Sequence, residues 1–286
     1  MHPRPFALCL WLASFCLLPA RADADPARRL QGEIVGARWA ALVPENWNGR
    51  LLIEAPDRRH APAPLVAALD ETEPDHAALL AAGWALATTS YRRTGPILID
   101  AIEDLRALRE HLASELGSSP LTIIAGDGMG GLIAVLMAER HSDEFHAFLA
   151  RDPQLELRDP RALRLKSDGQ PRGPILFLFG VGTARSVIDY HDRARASANA
   201  ESVVPVLWFQ PTPGADDPDA RPVPLAEAVD VLTNWAQTHR APPARLEYLP
   251  VAEDLPPVAP EARSTPAPAV EAPPLPDEPP PTVPVE

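Results

Sequence analysis

Between residues 25 and 240, apolar runs of strand length alternate with segments of helical period. Leu51-Leu52-Ile53 forms a short strand, and Trp84 to Thr89 forms another after the turn at Gly83. From Ile99 to Leu116 the apolar positions Ile99, Ile102, Leu105, Leu108, Leu112 and Leu116 recur at three- and four-residue steps, which predicts an amphipathic helix closed by Gly117. Leu121 to Ala125 is a continuous apolar run of the kind buried on both faces of a parallel sheet. A helix from about Gly130 to Arg140 follows it. Strands are then expected at Phe145 to Ala150, Ile175 to Phe179 and Val203 to Phe209, with helices at Ser186 to Ala198 and Leu225 to His239. Strands separated by helices imply right-handed βαβ units. The expected fold is therefore α/β, a three-layer sandwich with a mostly parallel central sheet and helices on both faces. No internal repeat interrupts it.

The ends differ in kind. Arg4 precedes an apolar stretch from Phe6 to Leu18, about 13 residues long, and small residues stand at Ala20, Ala22 and Ala24. That is the make-up of a secretory signal peptide, too short to span a bilayer. It predicts export to a secreted or periplasmic location, with residues 1–24 removed and no stable membrane insertion afterwards. From Ala241 to Glu286 about a third of the residues are proline, mixed with Ala, Val and Glu. Proline offers no ladder donor and favours extended chain, so 241–286 reads as a disordered acidic tail. The globular domain is thus expected at 25–240.

Composition narrows the chemistry. Both cysteines, Cys9 and Cys16, lie in the signal segment, so the remainder has no disulfide and no thiol nucleophile. No His-x-x-x-His spacing occurs, and no metal or cofactor is expected. A net charge of −13 argues against nucleic acid or anionic membrane as a partner. What remains is an unidentified small molecule or protein.

The most informative segment is Gly126-Asp127-Gly128-Met129-Gly130-Gly131, set between a buried strand and an apolar helix. It admits two readings. One is G-x-S-x-G, the sharp strand-to-helix turn that lifts a nucleophile above a sheet, with Gly128 where the serine would stand. The other is G-x-G-x-x-G, a dinucleotide fingerprint, with Asp152 at about the spacing of a ribose-binding carboxylate. A dinucleotide fingerprint usually opens its domain, whereas here about a hundred residues of α/β pattern come first. That favours the first reading and leaves a dinucleotide-binding oxidoreductase as the third choice.

With these residues in view, the chain resembles the α/β-hydrolase superfamily, and most of all its secreted bacterial esterase-type members. Val43-Pro44-Glu45-Asn46-Trp47-Asn48-Gly49 is similar to the family's approach to its third strand. Ala82 to Ala85, leading to Thr89-Ser90-Tyr91-Arg92, is similar to its fourth. Gly126 to Gly131, with Ala138-Glu139-Arg140-His141, resembles the nucleophile elbow and its helix. Leu225 to Pro242, with Ala228, Leu232 and Trp235, resembles the helix after the catalytic histidine.

Departures from the family fall where its chemistry should be. The resemblance puts the nucleophile at Gly128 and the histidine loop at Gly214-Ala215, so Ala215 stands for the general base. Pro56 and Asp57 replace the His-Gly that opens the oxyanion loop, and proline has no N–H to donate. Met129 would supply the other oxyanion donor. No acid stands in Gly180 to Ala184, and only about 25 residues separate Ala150 from Ile175, a reduced cap. A Ser-His-Asp device works as a unit, and losing a member costs roughly 10⁴–10⁶ in rate. The expectation is a non-catalytic binding or structural module. The alternative is an ester hydrolase with relocated residues, for which Asp127 is the candidate nucleophile.

Overall fold

The computed structural model describes residues 27–161, 165–210 and 222–246. The expected signal segment, Gly214, Ala215 and most of the proline-rich C-terminal stretch lie outside them.

Eight strands form one sheet: β1 (Arg28–Ile34), β2 (Ala37–Val43), β3 (Arg50–Ala55), β4 (Trp84–Thr89), β5 (Leu121–Asp127), β6 (Ala147–Arg151), β7 (Ile175–Phe179) and β8 (Val206–Phe209). Their spatial order is β1-β2-β4-β3-β5-β6-β7-β8. β1 and β4 both pair antiparallel with β2, and every other pairing is parallel. Five helices cover the sheet: α1 (Pro74–Ala81), α2 (Leu98–Leu116), α3 (Met129–Arg140), α4 (Ala184–Ala196) and α5 (Leu225–Thr238). Alternation along the strands separates two cores. Ile53, Ile124, Phe148 and Phe177 meet α2, α3 and α4 on one face. Leu52, Ile123, Leu149 and Leu176 meet α1 and α5 on the other.

Most expected elements lie where the pattern put them, but three were not anticipated. β1 is mostly exposed, and only Leu30 and Ile34 are half-buried against the core, too sparse an apolar pattern to read. It pairs with β2 through a two-residue turn at Val35-Gly36, both at positive φ (51° and 83°), because such turns match the twist of antiparallel strands. α1 has only eight residues and opens on proline, with the Glu73 side chain accepting the His76 N–H at 2.8 Å. Two strands begin later than expected. The Phe145 N–H still closes the turn after α3 on the His141 carbonyl, so β6 starts at Ala147. Pro205 has no N–H, and the Val203 N–H bonds Pro171, so β8 starts at Val206.

The boundary at 240 also moves. Residues 241–246, assigned by composition to the tail, lie along the free edge of β8. Arg245 exchanges backbone hydrogen bonds with Leu207 and Phe209. Its guanidinium stacks 3.6 Å from the Trp208 ring centroid and pairs with Glu227 at 2.7 Å. A cation on an aromatic face and a covered sheet edge both favour this docking.

Candidate functional site

The site is the turn from β5 into α3. Here the helix lies directly on the strand ends. A Cβ at Gly126 would come within 2.2 Å of the Gly130 backbone, and one at Gly130 within 1.9 Å of the Ala55 carbonyl oxygen. Both glycines are therefore required by helix–strand contact. Gly128 between them has φ 54° and ψ −112°, a region that side-chain-bearing residues enter only under strain. The backbone makes the sharp strand-to-helix turn expected of an elbow, with glycine at its apex.

The space above Gly128 is filled. A Cβ built there would meet Cγ and Oδ1 of Asp57 at 2.5 Å. Asp57 Oδ1 accepts two backbone N–H groups at 2.7 Å each, from Met129 at the start of α3 and from Arg58. The N–H that Pro56 cannot offer is thus supplied two residues later, by Arg58. The two N–H groups converge on the protein's own carboxylate, which the positive end of α3 favours. The loop is held from below by Tyr91, whose Oη donates to the Pro56 carbonyl at 3.0 Å. Tyr91 is fully buried at φ 58°, and desolvation, then Asp57 and Asp104, push its phenol well above the ordinary range. It stays protonated and keeps donating.

The other predicted positions are arranged differently. Asp127 does not face the elbow donors. Its carboxylate pairs with Arg151 at 2.6 Å, and 53 % of its side chain is open to water. Desolvation raises its carboxyl against the pull of Arg151, although solvent screens a pair so exposed. Asp152 sits at the end of β6 at φ 39°. Its Oδ1 accepts the Gly180 N–H at 2.7 Å and the Thr183 hydroxyl at 2.8 Å. An acid therefore does stand in the loop after β7, contributed by the neighbouring strand, and its accepting oxygen is already engaged. The histidine loop with Ala215 lies outside the described residues.

Sequence reasoning missed a second pair at this end of the sheet. His76 Nε2 lies 2.8 Å from Glu54 Oε1, and Nδ1 lies 2.8 Å from the Asp70 carbonyl. Both ring nitrogens face acceptors, so the ring is an imidazolium. The hydrogen bond to Glu54 raises its pKa to about 9. A histidine with both nitrogens donating has no lone pair for base work. The pairing brings residues 22 apart onto adjacent elements, and nothing local in the sequence signals it. No cluster of His, Cys, Asp and Glu among the described residues is suited to hold a metal ion.

The dinucleotide reading fails on topology. The glycine-rich turn follows the fifth strand of a sheet whose third and fourth strands are exchanged, whereas a dinucleotide fingerprint follows the first strand of its unit. Gly126 and Gly130 are also explained by helix contact alone.

No protein-family model matches the chain, and no curated protein matches it by sequence. Solved structures do. The chain is similar to an arylesterase, at 12 % identity and a TM-score of 0.50, over 75 % of this chain and 84 % of that one. It is also similar to a protein from Bacteroides ovatus ATCC 8483 that carries the name dipeptidyl aminopeptidase IV, at 12 % identity and a TM-score of 0.52. That match covers 74 % of this chain but 36 % of the other, so the chain spans about a third of that protein's length. A Pyrococcus furiosus esterase, Pf2001, aligns at 15 % identity with a TM-score of 0.47, over 74 % and 88 % of the two chains. At these identities the likeness concerns architecture. With the strand order, the two likenesses at TM-scores of 0.50 and 0.52 establish that the chain has the α/β-hydrolase fold.

Proposed function

We propose that this chain is an exported, non-catalytic α/β-hydrolase-fold module that serves binding or structure. One observation carries the proposal: the Asp57 carboxylate lies where the side chain of an elbow nucleophile would stand, on the two N–H groups that would stabilise an oxyanion. Acyl transfer needs a nucleophile, and it needs those donors free to meet negative charge that develops in the transition state. Gly128 has no nucleophilic atom. The donors already hold a full negative charge, so a substrate carbonyl would have to displace Asp57 before gaining anything from them.

Relocated chemistry through Asp127 is the weaker reading. An aspartyl ester formed there would need the ion pair with Arg151 broken and a base to activate water, and His76 offers no lone pair. The test is hydrolysis of short- and medium-chain chromogenic esters by the purified full chain, with Asp127→Ala beside it. The expected result is no turnover above the uncatalysed rate in either protein. Turnover that disappears in Asp127→Ala would replace this reading with the relocated hydrolase. Calorimetric titration with NAD(H) and NADP(H) is expected to show no heat.

A further inference from the structure

The sheet ends differently on its two sides. Beyond β8 the free edge is taken by residues 241–246, where Arg245 exchanges backbone hydrogen bonds with Leu207 and Phe209. Beyond β1 no described residue pairs with the edge. Which backbone groups that edge presents follows from its partner strand. Arg38, opposite Glu33 in the register, donates its N–H to Ser90 Oγ at 3.1 Å and accepts the Ser90 N–H at 2.8 Å, so both its groups face β4. Glu33 and Arg38 are therefore a non-hydrogen-bonded pair, and the N–H and C=O of Glu33 point outward. Alternation gives Gln31 and Arg29 the same orientation. Nothing in the backbone blunts this edge: the register with β2 runs from Arg28 to Ile34 without a bulge, and the strand holds no proline. Its outward-bonding residues carry two charges, Arg29 and Glu33, both exposed, opposite in sign and equally spaced about Gln31.

We propose that β1 is a self-complementary interface, pairing antiparallel with β1 of a second copy about a two-fold axis at Gln31 and joining the two sheets into one. Arg29 then faces Glu33 of the second copy, Glu33 faces its Arg29, and Gln31 faces Gln31. All three are hydrogen-bonded pairs, so the outward N–H and C=O groups meet one another in about six hydrogen bonds. Neighbouring registers set the charges against Gln31 or against their own like, which singles out this one. Glu33 has no ion pair within its own chain among the described residues and gains one. Arg29 gives one N–H to the Leu69 carbonyl at 3.0 Å and lies 3.9 Å from Glu71, which leaves guanidinium N–H groups for a further carboxylate. On the other face Leu30 lies opposite Gly32 of the second copy, so no bulky pair holds the strands apart. A two-fold contact of one edge with itself closes at the dimer. The inference holds whether or not the elbow is inert.

Sedimentation equilibrium of the full chain and its variants is the experiment. A micromolar monomer–dimer equilibrium is expected, in keeping with a small interface. Arg29→Glu and Glu33→Arg each set like charges opposite one another and should weaken self-association about tenfold. Mixing these two variants restores opposite charges at both pairs, so the mixture should dimerise where neither variant does alone. Gln31→Pro removes an outward N–H and leaves the bonds to β2 in place. It should abolish the dimer while the monomer keeps its circular dichroism spectrum. A native chain that stays monomeric at hundreds of micromolar would overturn the proposal. Slow hydrogen exchange at the Arg29, Gln31 and Glu33 amides of that monomer would then show that another segment of the chain covers the edge. A dimer that survives Gln31→Pro would overturn it as well, and so would a mixture of the charge variants no more associated than either alone.

Discussion

The contact between Asp57 and Gly128 makes a quantitative prediction about how two substitutions combine. Asp57→Ala removes the acceptor for the Met129 N–H at the first turn of α3. Loss of such a cap costs about 1–2 kcal/mol, part of it the favourable placement of a negative charge at a helix N-terminus. Gly128→Ala has two costs. Its φ of 54° imposes roughly 1–2 kcal/mol of backbone strain on any side-chain-bearing residue. Its new Cβ would also stand 2.5 Å from the Asp57 carboxylate. That distance is impossible, so Asp57 must leave its donors and the cap is lost as well. In the native background Gly128→Ala should therefore cost about 2–4 kcal/mol, the sum of strain and lost cap.

In the Asp57→Ala background the cap is already gone and the space is open. Gly128→Ala should then cost only its strain, so the double-mutant cycle should show a coupling of about 1–2 kcal/mol. Urea unfolding of the full chain and the three variants measures it, provided the transitions are two-state with equal slopes. Additivity within about 0.5 kcal/mol would refute the reasoning, because Asp57 would then not occupy the space above the elbow.

Three further perturbations follow from the same structure. Val35 is a β-branched, exposed residue at φ 51° in a two-residue hairpin that favours Asn-Gly, so Val35→Asn should stabilise the chain by about 0.5–1 kcal/mol in urea unfolding. The folded pKa of His76, about 9, lies above its ordinary 6.5. The pair with Glu54 thus contributes its full stability below pH 6.5 and loses it as pH rises through 9. The urea midpoint should fall across that window, and His76→Gln should flatten the fall; a His76 ring proton titrating near 6.5 by NMR would contradict this. Glu139 is completely buried and accepts from Ser167 Oγ at 2.6 Å, Tyr190 Oη at 2.9 Å and the Gly169 N–H at 3.0 Å. Its Oε2 accepts the Asp168 N–H at 3.1 Å and Arg140 Nη1 at 3.0 Å. Glu139→Gln can keep its carbonyl on the first three donors but turns an amide donor toward the other two, and should cost about 2–3 kcal/mol by the same measurement.

How much of this was legible in the sequence depended on how local each signal was. β4, β7 and α2 sit almost where their apolar periods put them, because burial on one or both faces writes itself into the pattern. β1 was invisible because only Leu30 and Ile34 touch the core, partly buried and with glycine between them, so backbone pairing with β2 does most to set its place. Gly128, Met129 and Asp57 were identified as positions, since each holds a fixed offset from a strand end. Their relation was not. The sequence shows an aspartate 71 residues before a glycine, and only the closure of β3 against β5 brings them together. The same holds for Asp152, which counted as a ribose ligand by spacing and serves the β7 loop by position.

That difference bears on what an elbow means. The turn forms here with glycine at its apex because Gly126 and Gly130 let α3 rest on β5 and β3, and that contact bends the chain. Elbow geometry is thus a property of the fold's helix–strand contact and says little about catalysis. Two N–H groups still converge above it, since the start of α3 and the turn after β3 are in place in any case. What distinguishes an active site from a retained scaffold is the occupant of the volume those donors address. In an active hydrolase that volume must be open to a substrate carbonyl. Here Asp57 places a carboxylate on both donors, and under the proposed reading it serves as a helix cap. The double-mutant cycle measures whether the two residues share that volume, and so tests the structural reading independently of any assay for activity.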